Sequence, residues 1–118
     1  MKKALRDAFN VEMSIAKQLY AQKHYTKCFV HLERAHILGQ RHYIPHVVNH
    51  FWMCKVGLKQ GDSREVAGQV VRMIMSVFSL LDNPFFHTVP VGNTGRARVS
   101  PIKPMPVPTD LAEYFKSL

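Results

Sequence analysis

What this chain has little of narrows its reading first. Acidic residues are scarce: eight Asp and Glu against sixteen Lys and Arg give a formal charge of +8 over 118 residues, which favours contact with acidic partners. The basic residues are scattered, as Lys2, Lys3 and Arg6, Lys23 and Lys27, Lys55 and Lys59, Arg96 and Arg98. No interleaved aromatic-and-basic module of the kind that grips RNA or DNA accompanies them. The charge therefore reads as a solvated surface suited to an acidic protein partner, with nucleic acid disfavoured. Cysteine is limited to Cys28 and Cys54, both on apolar helical faces, where they read as small buried hydrophobes of a reducing compartment. No apolar run is long enough to cross a bilayer, and Arg6, Asp7, Asn10 and Glu12 interrupt the stretch that a secretion signal would keep apolar. The expectation is a cytoplasmic chain with no membrane role.

Two kinds of chemistry are missing as well. Gly92-Asn93-Thr94-Gly95 lacks the Gly-Lys-Ser/Thr ending of a phosphate loop and reads as a turn. No Ser-His-Asp or Cys-His nucleophile arrangement can be assembled, so catalysis is left open. The length suits one domain with one core, and a hydrophobic fraction of 47% argues against disorder. Residues 1–118 read as a single helical domain, with a helical core over 1–82 and a Pro-rich strap and short terminal helix over 83–118. Monomer and homo-oligomer are both compatible with this pattern.

What is present is mainly helical periodicity. Leu5, Ala8, Phe9, Ile15, Ala16 and Leu19 recur at three and four from about Lys3 to Lys23, an amphipathic helix. Glu12 lies on the same stripe, where a carboxylate is costly unless paired. A second helix is expected from Tyr25 to about Leu38, with Cys28, Phe29, Leu32, Ala35 and His36 inward and Gly39 as its stop. The third should start near Ile44, with Pro45 harmless in the first turn. It carries two stripes, Val47, Val48, Phe51, Cys54 and Leu58, and His46, His50, Met53 and Gly57, so burial on two sides is expected. Asp62 and Glu65 form a capping-box pattern that opens the fourth. Its core face is expected to be Val66, Val70, Met73, Ile74, Val77, Leu80 and Leu81, while Glu65, Gly68, Gln69, Arg72 and Ser76 form a separate polar stripe. Gly68 there would allow a neighbouring helix to approach.

Prolines from Pro84 to Pro108 exclude helix from most of the last third. Alternating apolar residues from Phe85 to Val107 make it an extended strap over the helices, before a short helix from Leu111 to Lys116. The fold class is all-α: two antiparallel helical hairpins plus this strap. Tyr25-x2-Cys28-x3-Leu32-x2-Ala35 and Ser63-x2-Val66-x3-Val70-x2-Met73 repeat at a period of 38, a weak tetratricopeptide-like pattern.

The polar residues concentrate around Glu33 to Trp52, ERAHILGQRHYIPHVVNHFW. Residues four apart share a helical face, so His46 and His50 project together. Antiparallel neighbours pair positions equally far from their loop. Counting out from the turns sets His36 opposite His46, Glu33 opposite His50, Glu12 near the level of His36, and Gln69 and Arg72 near that of His50 and His46. Glu12, Glu33, His36, His46 and His50 are thus the candidate metal ligands, with Gln69 and Arg72 supporting them. Two carboxylates and three imidazoles suit Zn, Fe, Mn or Cu. Glu-x-x-His is half of a di-iron bundle's ligand set, but it occurs once here, which favours a mononuclear site. The competing reading is a structural His–Glu network inside an interaction module with a basic surface. His24 and His31 read as surface residues, and His42 as part of the turn.

HLERAHILGQ (31–40), His46-x3-His50-x-Trp52, GDSREVAGQ (61–69), VPVGNTG (89–95) and MPVP (105–108) together resemble a family of small bacterial proteins catalogued as a domain of unknown function. The resemblance covers most of the chain. It implies a bacterial origin and one compact domain, and it transfers no catalytic residue.

Overall fold

The computed structural model describes residues 1–79, 93–99 and 104–116. Among these residues four α-helices run in order: α1 Lys3–Ala21, α2 Tyr25–Gly39, α3 Tyr43–Gln60 and α4 Ser63–Ser79, with a final 3-10 turn at Ala112–Phe115. No strand occurs among the described residues, so the all-α expectation holds. The expected Leu80 and Leu81, and the strap at 83–92 and 100–103, lie outside the described residues. No described helix is long and apolar enough to cross a membrane.

Tight turns make the helices antiparallel neighbours, packing α1 on α2, α2 on α3 and α3 on α4. After α1, Lys23 takes a left-handed conformation at φ 63°. Its N–H donates to Tyr20 O, and that of His24 to Leu19 O, the paired closure of a Schellman motif. Gly61, at φ 66°, ends α3 in the same way, through Gly61 N–H to Leu58 O and Asp62 N–H to Gly57 O. α2 ends at Gly39, within one residue of the expected stop. That glycine serves packing: a Cβ there would lie 2.8 Å from the Phe9 ring and 3.1 Å from Pro45.

The core gathers Leu5, Phe9, Met13 and Ala16 from α1, Cys28, Phe29, Leu32, Ala35, Ile37 and Leu38 from α2, and Met53 and Val56 from α3, with Leu111 closing one side. Cys28 donates its thiol to Ala16 O at 3.1 Å, and burial pushes its pKa up to about 11. It is a packing residue with a neutral thiol at physiological pH.

The outer helices depart from the expected faces. In α3 the histidine stripe is the buried one, while Phe51 and Leu58 are 51% and 64% exposed, so that helix is not covered on both sides. In α4 the polar stripe turns inward: Glu65 is 1% and Gln69 0% exposed, against 40% for Val70 and 52% for Ile74. Burying polar groups is tolerated when each finds a partner, and residues 93–99 supply them. Gly68 does admit a close neighbour, but it is Ala97 of this segment, whose Cβ occupies the space a Gly68 Cβ would need. The capping box is half formed. Glu65 N–H donates to Asp62 Oδ1 at 3.1 Å, but the Glu65 carboxylate accepts from Ala97 N–H at 3.1 and 3.2 Å.

Candidate metal centre

His36 of α2 and His46 and His50 of α3 meet where the two helices face each other. One ring nitrogen from each lies within 4.8 Å of the other two, and the three form a group that could hold a metal ion. His36 Nε2 is 3.2 Å from His50 Nε2, and His46 Nε2 is 2.8 Å from His50 Nε2. His36 and His50 are buried and His46 is partly exposed.

The opposite edges of the two buried rings are pinned. His36 Nδ1 lies 2.7 Å from the carbonyl oxygen of Asn93, an acceptor only, so Nδ1 carries the hydrogen. His50 Nδ1 lies 2.5 Å from Gln69 Oε1. The Gln69 amide is oriented by its own donations, from Nε2 to Glu65 Oε1 at 2.8 Å and to Gly95 O at 2.9 Å. His50 Nδ1 must therefore also be the donor. Both rings point bare Nε2 lone pairs inward. Fixing the tautomer through the outer nitrogen is how metal-binding imidazoles are commonly oriented.

Electrostatics keep these rings neutral. Burial lowers the pKa of His46 to about 4, with Arg72 adding to the effect. Burial, then His46, lowers that of His50 to about 3, against the Gln69 hydrogen bond, which favours the charged form. His36 is pushed well below its ordinary value by burial, then by His50 and His46. Neutral imidazole is the ligating form.

The expected carboxylates are placed elsewhere. Glu12 accepts from Arg34 Nε at 2.8 Å and pairs with His31 Nδ1 at 2.7 Å. Arg34 also pairs with Asp110, tying the last turn to α2. Five residues of α-helix separate His31 from His36, about 140° around α2 and about 7.5 Å along it, so Glu12 meets a different face at a different height. His31, expected as an ordinary surface residue, thus becomes a partner of Glu12. Glu33 is taken by Arg96 at 2.6 Å, whose guanidinium also lies 4.0 Å from the Phe29 ring centre. Gln69 stands against His50 as expected, while Arg72 acts on residues 93–99. Asn93, Gly95 and Glu65 complete the surroundings and were not expected there. The glycine-rich turn between prolines, opposite a polar stripe on α4, is the signal that would have found them. Glu12→Gln is accordingly expected to cost about 1–3 kcal/mol of stability through its unpaired partners and to leave any metal uptake by the three histidines unchanged within about twofold. A metal titration and a urea melt on the same sample check both; loss of metal from a folded Glu12→Gln protein would return Glu12 to the ligand set.

No curated protein and no solved structure matches the chain. The assignment that can be made rests on residues 3–115, which match the family described as "Protein of unknown function (DUF3703)", and the chain belongs to that family.

Proposed function

We propose that this protein binds one divalent transition-metal ion through Nε2 of His36, His46 and His50, and that its role is metal handling. One observation carries the reading. With the rings neutral and His36 and His50 protonated at Nδ1, at most one of the three inward Nε2 atoms can bear a hydrogen. A hydrogen on His46 Nε2 satisfies the 2.8 Å contact to His50 and still leaves the 3.2 Å contact between His36 and His50 as lone pair against lone pair. A cation between them turns that repulsion into coordination. With zinc–nitrogen bonds of about 2.0–2.1 Å, tetrahedral nitrogens stand about 3.3 Å apart, against 3.2 Å for His36–His50 and 2.8 Å for His46–His50 in a group spread over up to 4.8 Å.

Three imidazoles without thiolate or carboxylate suit Zn, Cu or Fe better than Mn. Three protein ligands leave one coordination position for water or an exchanging ligand, and the partial exposure of His46 gives an approach to it. That combination fits an ion taken up and passed on better than one sealed in as a cross-link. The competing structural network is favoured by the His46–His50 contact alone, and a direct measurement separates the two. Protein purified without an affinity tag, stripped and titrated with Zn(II), Cu(II) and Fe(II) against a competing chelator, should bind one equivalent. A His46→Ala, His50→Ala double variant that stays helical by circular dichroism should bind none. Equal uptake by both proteins, or none by the wild type, would sink the metal reading.

A further inference from the structure

The segment 93–99 reaches the helices through the same residues that orient the histidines. Asn93 O accepts from His36 Nδ1. Gly95 O accepts from Gln69 Nε2, the other end of the amide that holds His50. Glu65 receives Ala97 N–H as well as Gln69 Nε2. Arg72 closes the set, donating to the carbonyls of Gly95, Arg96 and Val99, and Gly95 lies against the His36 ring itself. The outer nitrogens of both buried rings therefore lead into this strap, one directly and one through Gln69.

We propose that ion binding and strap docking are one linked equilibrium: an ion on the three histidines holds strap 93–99 down, and the docked strap tightens the ion, with Arg72 as the positioning residue. This rests on the metal reading above. An ion at Nε2 draws electron density from the ring, so each Nδ1–H becomes a stronger donor, as in charge-assisted hydrogen bonds. The acceptors are the strap carbonyl of Asn93 and the amide that also binds Gly95. If the ion strengthens these bonds, reciprocity requires the docked strap to raise ion affinity by the same factor. Arg72 touches none of the three rings by hydrogen bond; it spans three strap carbonyls as a planar fork, a geometry that lysine cannot reproduce.

Arg72→Lys is the informative variant because it keeps the positive charge beside the histidines and removes only the fork. Zn(II) alone is the probe, with amide hydrogen exchange at Ala97 and, for reference, at Ala16 in the α1 core. Zn(II) should slow exchange at Ala97 by about tenfold or more and leave Ala16 little changed. Arg72→Lys should bind Zn(II) about 10–100-fold more weakly, the range expected when groups supporting a metal ligand are altered, and lose the zinc-dependent protection at Ala97. If the wild type binds Zn(II) one to one while exchange at Ala97 is the same with and without it, the linkage is wrong and the metal centre stands. Undiminished affinity in Arg72→Lys would overturn the linkage equally. A wild type that takes up no Zn(II) would overturn both.

Discussion

Gly95→Ala should destabilise the protein by about 2–5 kcal/mol and disturb the histidine cluster at the same time. Two costs add. Gly95 sits at φ 81°, a conformation that costs a side-chain-bearing residue roughly 1–2 kcal/mol. An added Cβ would also stand 2.5–2.8 Å from three atoms of the His36 ring, and forcing atoms into a packed interior costs typically about 1–3 kcal/mol. The chain can respond by moving the ring or by lifting the strap, and each response breaks the hydrogen bond from His36 to Asn93. Gly61→Ala is the matched control: φ is 66° and nothing lies within 4 Å of the new Cβ, so only the conformational cost remains. Urea midpoints of the two variants measure the difference. Equal destabilisation would mean that Gly95 is not pressed against His36 in solution.

The metal-free protein should lose stability steadily as pH falls below about 6.5, the ordinary histidine value. His46 and His50 have folded pKa values lowered to about 4 and about 3, and His36 is lowered as well. Between those values and 6.5 the unfolded chain binds protons that the folded chain refuses, so acid favours unfolding. The contribution is complete above 6.5, shrinks as pH drops, and levels off once the folded rings titrate near 4 and 3. At pH 5 the loss is on the order of 2 kcal/mol for each buried histidine that stays neutral in the fold. No carboxylate is hydrogen-bonded to the three rings among the described residues, and Arg72 opposes their protonation. Urea melts between pH 5 and 8, compared with those of His50→Gln, test this. The variant should show a shallower slope over that range, and a wild-type midpoint independent of pH would contradict the buried, neutral cluster.

Helix positions, the antiparallel hairpins and the level at which His36, His46 and His50 meet were legible because they follow from local periodicity and from counting outward from turns. Those features depend on residues close in sequence. Which side chain joins which partner at that level was not legible. Counting put Glu12 near the level of His36, but it meets α2 at His31 and Arg34, on other flanks and nearer the start of that helix. Glu33 is one turn from His36, yet Arg96, sixty-three residues away, takes its carboxylate. A small rotation about a helix axis or shift along it decides such pairings, and residue spacing leaves both free.

The inverted face of α4 has the same origin. Hydrophobicity alone assigns Val70 and Ile74 to the interior and leaves Glu65, Gln69 and Arg72 as a separate polar stripe. The reverse arrangement occurs because backbone groups of residues 95–99, together with His50, satisfy those polar side chains, and only the folded chain brings them there. By itself, then, the sequence determined an all-α chain with three histidines at one height on adjoining helices. Tertiary structure decided that imidazoles rather than carboxylates fill the cluster, and that a glycine-bearing strap orients them. The physical reason is that burial of a polar group is decided by its partners, and these partners lie on segments far apart in the chain.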